Sequence, residues 1–464
     1  MALVLILLAL ALFIYYYGTR NHDYWAKRNV KHDPPTFFFG NNFLGFVGKK
    51  SFTDVSLNMY DSFPNEKLVG YYRGATPELY IRDPEIVRNI LTTDFAYFHR
   101  RGLGRDPDVE PLLLSIFHVD GDRWKLARQR LTPAFTTARL RGMFPLVVRC
   151  AEKLQRLAED KARSGGPCDV RDLMARFTTD FIGACGFGVD IDSINNEHSA
   201  FRDIGKLVFA RPLGVIVKSI LWELFPILRS AIHVSDPRIE KSIIEFVKKI
   251  REEREFKPSG RNDFVDLLLE LESNGTMIGP SIEHYHDDGS PVEVQLEMDI
   301  KLMAAQVFIF FAAGYETSSS TTSYTLHELA YNPEYQLKIQ EEIDTVLRKY
   351  DNKLCYDAIA EMTWLNMAFK ESMRIFPSVG VLTRVCARRY RFPDLDLTVD
   401  PGVKVVIPVQ ALQTDEQYFD NPLVFRPERF SPTEVGKQHK YTYLPFGDGP
   451  RACIGEFNFV QVYS

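Results

Sequence analysis

The sequence predicts a mainly α-helical protein with small β-sheets, an α+β fold, and three observations carry that expectation. Helical periodicity, punctuated by scattered Pro and Gly, dominates from Asp83 to about Arg348. Short runs rich in β-branched and aromatic residues flank it, at residues 68–72 and 79–81 on one side and 403–407 on the other. An apolar stretch at the N-terminus stands apart from both. The 464 residues exceed the usual single-domain size, yet no midpoint break divides them, so one large body is expected. Apolar residues make up 45% and charged residues 25%, the balance of an ordinary globular protein. A net charge of -5 excludes the basic excess of a nucleic-acid binder and favours small-molecule chemistry.

Residues 1–17 are uninterruptedly apolar. As a helix rising about 1.5 Å per residue they reach roughly 25 Å, near the lower limit for crossing hydrocarbon. The run lacks a basic start and ends in Tyr15-Tyr16-Tyr17, an interfacial aromatic belt, so it reads as a transmembrane anchor rather than a cleaved signal peptide. Arg20, Lys27, Arg28 and Lys31 follow it, which predicts a lumenal N-terminus and a cytosolic remainder. Residues 18–45 read as a basic linker in which Asp33-Pro34-Pro35 is a stiff spacer. Residues 46–464 form the globular part.

Within that part, the strands at 68–72 and 79–81 are separated by a turn over 74–77. A helix over 122–131 carries Arg123, Lys125, Arg128 and Arg130, and residues 275–291 read as a polar loop. The longest helix is expected from Val292 to Tyr331, where Asn332-Pro333 ends it. Its middle, residues 304–314, is apolar on every side, the pattern of a helix buried through the centre. The next six residues, Tyr315-Glu316-Thr317-Ser318-Ser319-Ser320, are costly to bury unless they find partners or line a wet cavity. Glu371 and Arg374 share one face of a helix over 364–376. A strand at 403–407 follows the Asp400-Pro401-Gly402 turn.

The six cysteines are scattered, with no Cys-x-x-Cys pair, which suggests neither a zinc site nor a disulfide framework and fits reduced thiols facing the cytosol. One of them, Cys453, lies in Phe446-Gly447-Asp448-Gly449-Pro450-Arg451-Ala452-Cys453-Ile454-Gly455. Gly447, Gly449 and Gly455 allow the backbone to curl around the sulfur and point N–H groups at it, which stabilises a thiolate and tunes a bound metal. Arg451 is placed to pair an anion. A structural turn around a buried thiol fits the same residues. A dinucleotide loop does not, because the third helix-opening glycine and the later acidic residue are missing.

In chain order, Trp124-x-x-x-Arg128, Ala313-Gly314-x-Glu316-Thr317, Glu371-x-x-Arg374, Pro427-Glu428-Arg429-Phe430 and the cysteine loop resemble the motifs of the cytochrome P450 family. The resemblance covers essentially the whole chain after the anchor. The anchor, the Pro-Pro pair and Leu131-Thr132-Pro133-Ala134-Phe135 are most similar to microsomal, detoxification-type members from insects and vertebrates. The resemblance implies the cytochrome P450 fold and a haem-thiolate catalytic domain over 46–464. Cys453 would be the axial ligand of the iron of haem b. Trp124, Arg128, Arg384 and Arg451 would hold the haem propionates, and Phe446 would pack on the proximal face. Ala313 and Gly314 would keep the long helix slim beside the iron. Thr317 would bond the carbonyl four residues back, and Glu316 with Thr317 would deliver protons during oxygen activation. Glu371, Arg374 and Arg429 would form a buried structural charge cluster.

The activity so implied is a monooxygenase that inserts one atom of O2 into a lipophilic xenobiotic or endogenous lipid or hormone. Electrons would come from NADPH through NADPH-cytochrome P450 reductase, with cytochrome b5 as a further partner, at the endoplasmic reticulum membrane and with no nucleic acid involved. The substrate pocket would be lined by the regions 98–117 and 201–225, by Phe308, Ile309, Ala312 and Ala313, and by 379–382. The basic face of the 122–131 helix would receive the acidic electron donor. After Gly455 the family reads x-Arg-Phe followed by a small residue, whereas this chain reads Glu456-Phe457-Asn458-Phe459 and runs only to Ser464. That ending implies a chain truncated before the family's C-terminal helix and strands, with poor folding or haem retention. The alternative function it implies is a non-catalytic truncated isoform.

Overall fold

Leucine, alanine and isoleucine from the second residue onward wind an 18-residue helix, Ala2–Thr19, whose side chains are almost all exposed. Its mean hydropathy is 2.2, and by length and composition it can cross a membrane. The computed structural model describes residues 1–103, 108–196, 199–210, 212–225, 228, 231–261 and 263–456. At its C-terminal end this helix touches the globular part: Tyr17 Oη donates to Leu224 O at 3.0 Å, and its ring stacks on Phe225. Much of the basic segment that follows is packed onto the body. Trp25 is fully buried and donates Nε1 to Tyr71 O at 3.1 Å, while Arg28 and Tyr24 both bond Asp400.

Strands β1 (Leu68–Arg73) and β2 (Thr76–Ile81) pair as the expected hairpin around Gly74. Strands β3 (Met277–Tyr285) and β4 (Pro291–Leu296) form a second hairpin. Strand β5 (Leu382–Val385), the short pair β6 (Tyr390–Arg391) and β7 (Thr398–Val399), and β8 (Lys404–Ile407) follow. The main sheet has the order β1-β2-β8-β5, with β2 and β8 parallel and β5 antiparallel to β8. It brings together chain segments more than 300 residues apart. Glu78 on β2 lies opposite Lys404 on β8 and bonds Arg73, so a carboxylate with 1% exposure is matched by two cations.

The second hairpin corrects the sequence reading. Residues 275–291 are a paired strand and turn rather than an open polar loop, and the long helix runs Ile300–Tyr331, not from Val292. The reason is periodicity: Val292, Val294 and Leu296 alternate with Glu293 and Gln295 at a spacing of two, and the burial of β4 alternates with them. Asp299 then starts the helix by accepting Leu302 N at 2.7 Å. From there the helix runs through the centre. Its flanks pack on the Val170–Ile182 helix, and fully buried Gln306 ties it to the 111–116 segment through Ile116 N and Leu114 O. It stops at Asn332, held out of the helical region by Pro333.

Candidate functional site

The Cys453 loop closes on itself and on the body. Cys453 N donates to Phe446 O at 2.9 Å, and Asp448 caps the short Gly449–Arg451 turn. Gly447 and Gly449 both have positive φ, at +71° and +75°, and a Cβ on Gly449 would sit 1.9 Å from Leu91 O. No residue with a side chain fits there. Phe446 packs against the hydrophobic cluster that includes Phe369, Met373 and Ile375, and Ile454 against the cluster around the central helix. The Cys453 side chain is accessible although protein surrounds it on most sides. Burial pushes its thiol pKa up, and the Gly455 backbone, Arg128 and Arg101 pull it back down.

Four guanidiniums gather beside this thiol. Arg451 is buried, with Nε donating to His99 O at 2.7 Å and Nη2 to Val119 O and Asp120 Oδ1, and its Cζ stands 4.2 Å from the Trp124 ring centroid. Arg101 donates Nη2 to Arg451 O. Arg384 is brought in by β5, and its Nη1 donates to the adjacent Thr383 O. Arg128 comes from the Gly121–Leu131 helix. The carboxylate that faces them among the described residues is Asp120, already holding Arg101 N and Gly102 N. Burial pushes Arg384 and Arg451 down to about 9 and Arg101 to about 10. An arginine does not lose its proton on that account; the direction measures how poorly its charge is compensated. Arg384 Nε and Arg451 Nη1 are buried without a hydrogen-bond partner among the described residues.

On the central helix, Ile309, Ala313 and Thr317 share one face at a spacing of four, and Ala313 is exposed although Phe311, Ala312 and Tyr315 beside it are buried. Thr317 Oγ1 donates to Ala313 O at 2.6 Å, the back-bond expected from the sequence. Thr317 O accepts from Ser378 Oγ at 3.2 Å, which brings the 376–382 segment against this face, and Leu382 of that segment approaches Gly447. Gly314 lies elsewhere: a Cβ on it would meet Ile182 at 2.9 Å, so its missing side chain admits the neighbouring helix. The Glu316 carboxylate points to the surface, where it accepts from Arg171 Nη2 at 2.5 Å and from Ser320 Oγ at 3.2 Å.

Glu371, Arg374 and Arg429 meet in one buried cluster. Arg374 grips Glu371 with two bonds of 2.8 Å, and Arg429 Nε reaches Glu371 Oε1 at 3.2 Å. Two members were not legible in the sequence. Gln413 accepts Arg374 Nη1 on its carbonyl, donates to Met373 O and Arg374 O, and receives Leu444 N, which connects the cluster to the approach of the cysteine loop. Asp420 binds both Arg426 and Arg429. Arg101, Asp120 and His99 were missed too, and the local signal for them is slight: the pair Arg100-Arg101 follows the aromatic run Phe95-Ala96-Tyr97-Phe98.

The basic face of the Gly121–Leu131 helix divides. Arg123 and Arg130 are exposed, Lys125 donates to Pro280 O on β3, and Arg128 acts electrostatically on Cys453. The region 98–117 includes residues 104–107, and 201–225 includes Arg211, all outside the described residues. Phe457, Asn458 and Phe459 lie outside them as well.

Comparison with known proteins agrees with this geometry. The family model described as Cytochrome P450 matches residues 32–457. Cytochrome P450 6B6 of Helicoverpa armigera is 36% identical over 444 residues, covering 95% of this chain and 86% of that protein. Cytochrome P450 6a2 of Drosophila melanogaster is 36% identical over 466 residues, covering 98% and 89%. Cytochrome P450 6B1 of Papilio polyxenes is 34% identical over 463 residues, covering 98% and 89%.

Proposed function

Since the chain belongs to the cytochrome P450 family, whose members are haem-dependent monooxygenases, we propose that it is a membrane-anchored enzyme oxidising lipophilic small molecules with electrons from NADPH-cytochrome P450 reductase. Cytochrome b5 is a second donor in this reading. The Ala2–Thr19 helix supports anchoring at the endoplasmic reticulum with a lumenal N-terminus and a cytosolic body.

The residues present fit haem. Its two carboxylates need hydrogen-bonded cations, and the site offers four guanidiniums against one carboxylate, with Arg384 Nε and Arg451 Nη1 unmet. Bound haem supplies the iron at which O2 is reduced and one of its atoms passed to the substrate. Cys453 is the ligand in this reading, and Arg128 and Arg101 favour its thiolate. Trp124 flanks Arg451 and holds its guanidinium in place. Ala313 gives the central helix its open face, and Thr317, bonded to Ala313 O, sits on that face with a hydroxyl that accepts and passes a proton. Glu316, the next residue on the helix, is the proposed carboxylate partner of Thr317 in proton delivery, and its side chain is held at the surface by Arg171 and Ser320. Ile309, on the same helix face as Ala313 and Thr317, is apolar, which supports a lipophilic substrate.

The observation that carries this reading is the under-compensated guanidinium cluster beside an accessible thiol. It is tested by the carbon-monoxide difference spectrum of the reduced protein. A thiolate-type Soret band that disappears in Cys453→Ser is the expected result, followed by NADPH-dependent turnover with added reductase. A protein without the band overturns the reading.

A further inference from the structure

Residues 378–384 link the central helix to the cysteine loop. At the loop end, Leu382 approaches Gly447, Thr383 Oγ1 donates to Arg101 O at 3.4 Å, and Arg384 stands among the guanidiniums. Midway, Gly380 O accepts from Gln410 N at 3.0 Å, so a third element, the Val409–Gln413 helix, holds the middle. At the helix end the foothold is the Ser378 hydroxyl.

Three oxygens meet there. Ser378 Oγ lies 3.2 Å from Thr317 O and 3.0 Å from Thr321 Oγ1, and Thr321 Oγ1 lies 2.9 Å from Thr317 O. Each hydroxyl has one proton to give, so the contacts resolve into two chains: Thr321 to Ser378 to Thr317 O, or Ser378 to Thr321 to Thr317 O. Both end on Thr317 O, and both tie Ser378 to the helix. That carbonyl is also the ordinary acceptor of the N–H four residues on, so hydroxyls compete with the helical ladder for its two lone pairs. One turn earlier, Thr317 Oγ1 loads Ala313 O in the same way at 2.6 Å. Two successive turns on one face are thus weakened by hydroxyls, and a tether from outside the helix keeps such a stretch in place. Ser378 and Ala313 are exposed whereas Thr321 is buried, so the three oxygens run from the open face into the core.

We propose that Ser378 is a positioning residue for the oxygen chemistry, a hydroxyl tether that fixes the Thr317 turn relative to the cysteine loop and keeps Thr317 Oγ1 on Ala313 O. The proposal rests on the monooxygenase reading above, in which Thr317 passes a proton. In that reaction NADPH gives two electrons to O2. With the relay in place, one oxygen atom leaves as water and the other enters the substrate; with the relay displaced, both atoms leave together with two protons as hydrogen peroxide.

The test compares Ser378→Thr with Ser378→Val in the full-length protein, since the two side chains share a shape and differ in the hydroxyl. Amide hydrogen exchange, followed by mass spectrometry on peptides covering 313–325 and 376–384, reads the tether. Ser378→Val should exchange about two- to tenfold faster than wild type in both, the range of one neutral hydrogen bond, and Ser378→Thr should stay within about twofold. The ratio of hydrogen peroxide to dealkylated product, measured with NADPH, added reductase and 7-ethoxycoumarin as a lipophilic probe, reads the consequence. Ser378→Val should raise that ratio about two- to tenfold with KM changed less than about threefold, and should add nothing in a Thr317→Ala background. Equal exchange in Ser378→Val and wild type overturns the tether. Faster exchange with an unchanged peroxide ratio overturns the role in the chemistry, as does a further effect on top of Thr317→Ala. Ser378→Thr behaving like Ser378→Val overturns the proposal too, because shape and not the hydroxyl would then matter. A wild-type protein without the thiolate Soret band, or without NADPH oxidation, overturns the functional reading, and hydrogen exchange still decides the tether.

Discussion

Arg374 and Glu371 have no exposed side-chain surface, and each oxygen of the Glu371 carboxylate takes a guanidinium N–H of Arg374 at 2.8 Å. Such a pair gains little over a hydrophobic one when intact and costs much when halved. Arg374→Ala should therefore destabilise the protein by about 3–5 kcal/mol, read by equilibrium denaturation, with Arg374→Lys recovering only part because an ammonium cannot make the two-pronged contact. A different outcome is expected at Glu316, which is partly exposed and bonded to Arg171. With Glu316 in the proposed proton-delivery role, Glu316→Gln should leave the carbon-monoxide spectrum intact and lower kcat by about 10²-fold with KM little changed, since that role involves no binding contact. At this scale the sequence was informative wherever two roles lay within four residues, as in Glu371 with Arg374 and Thr317 with Ala313. It was silent on Arg101, Asp120 and His99, which gain their meaning from Arg451, more than 300 residues away.

At the scale of elements, the main sheet is joined by the Glu78 carboxylate between Arg73 and Lys404. Burial opposes ionisation of Glu78, but the two cations outweigh it and hold its carboxyl below the usual range. A carboxyl with a depressed folded-state pKa contributes stability above its unfolded value of about 4.3, and that contribution is lost as pH falls through the folded pKa. Wild-type stability should thus drop steeply below about pH 4, while Glu78→Gln, less stable at neutral pH, should show a shallower acid limb in melting curves. The β3–β4 hairpin shows where elements escape sequence reasoning. Its strands are polar on much of their surface and the turn residues Asp287-Asp288-Gly289-Ser290 look like those of any loop, so only pairing partners distinguish it. The central helix was legible because its apolar run has no other use than burial.

For the whole molecule, the apolar N-terminal helix contributes little to the core and meets the body near Tyr17, where it touches Leu224 and Phe225. Removing residues 1–17 should shift the protein from the membrane pellet toward the soluble fraction in salt-washed preparations while the carbon-monoxide spectrum is retained. Trp25 and Arg28 must stay, because they belong to the core and to the Asp400 contact. The sequence by itself determined the family, the monooxygenase class, the apolar N-terminal helix and the glycine-rich loop that carries Cys453, because each is written in residues close enough along the chain to constrain one another through a helix turn or a loop. Tertiary structure alone decided which cations share the site, that the Asp120 carboxylate stands among them, and that Glu283 on a hairpin lies beside His99. The physical reason is that electrostatic compensation depends on distance in space, and folding brings these groups together from separate stretches of the chain.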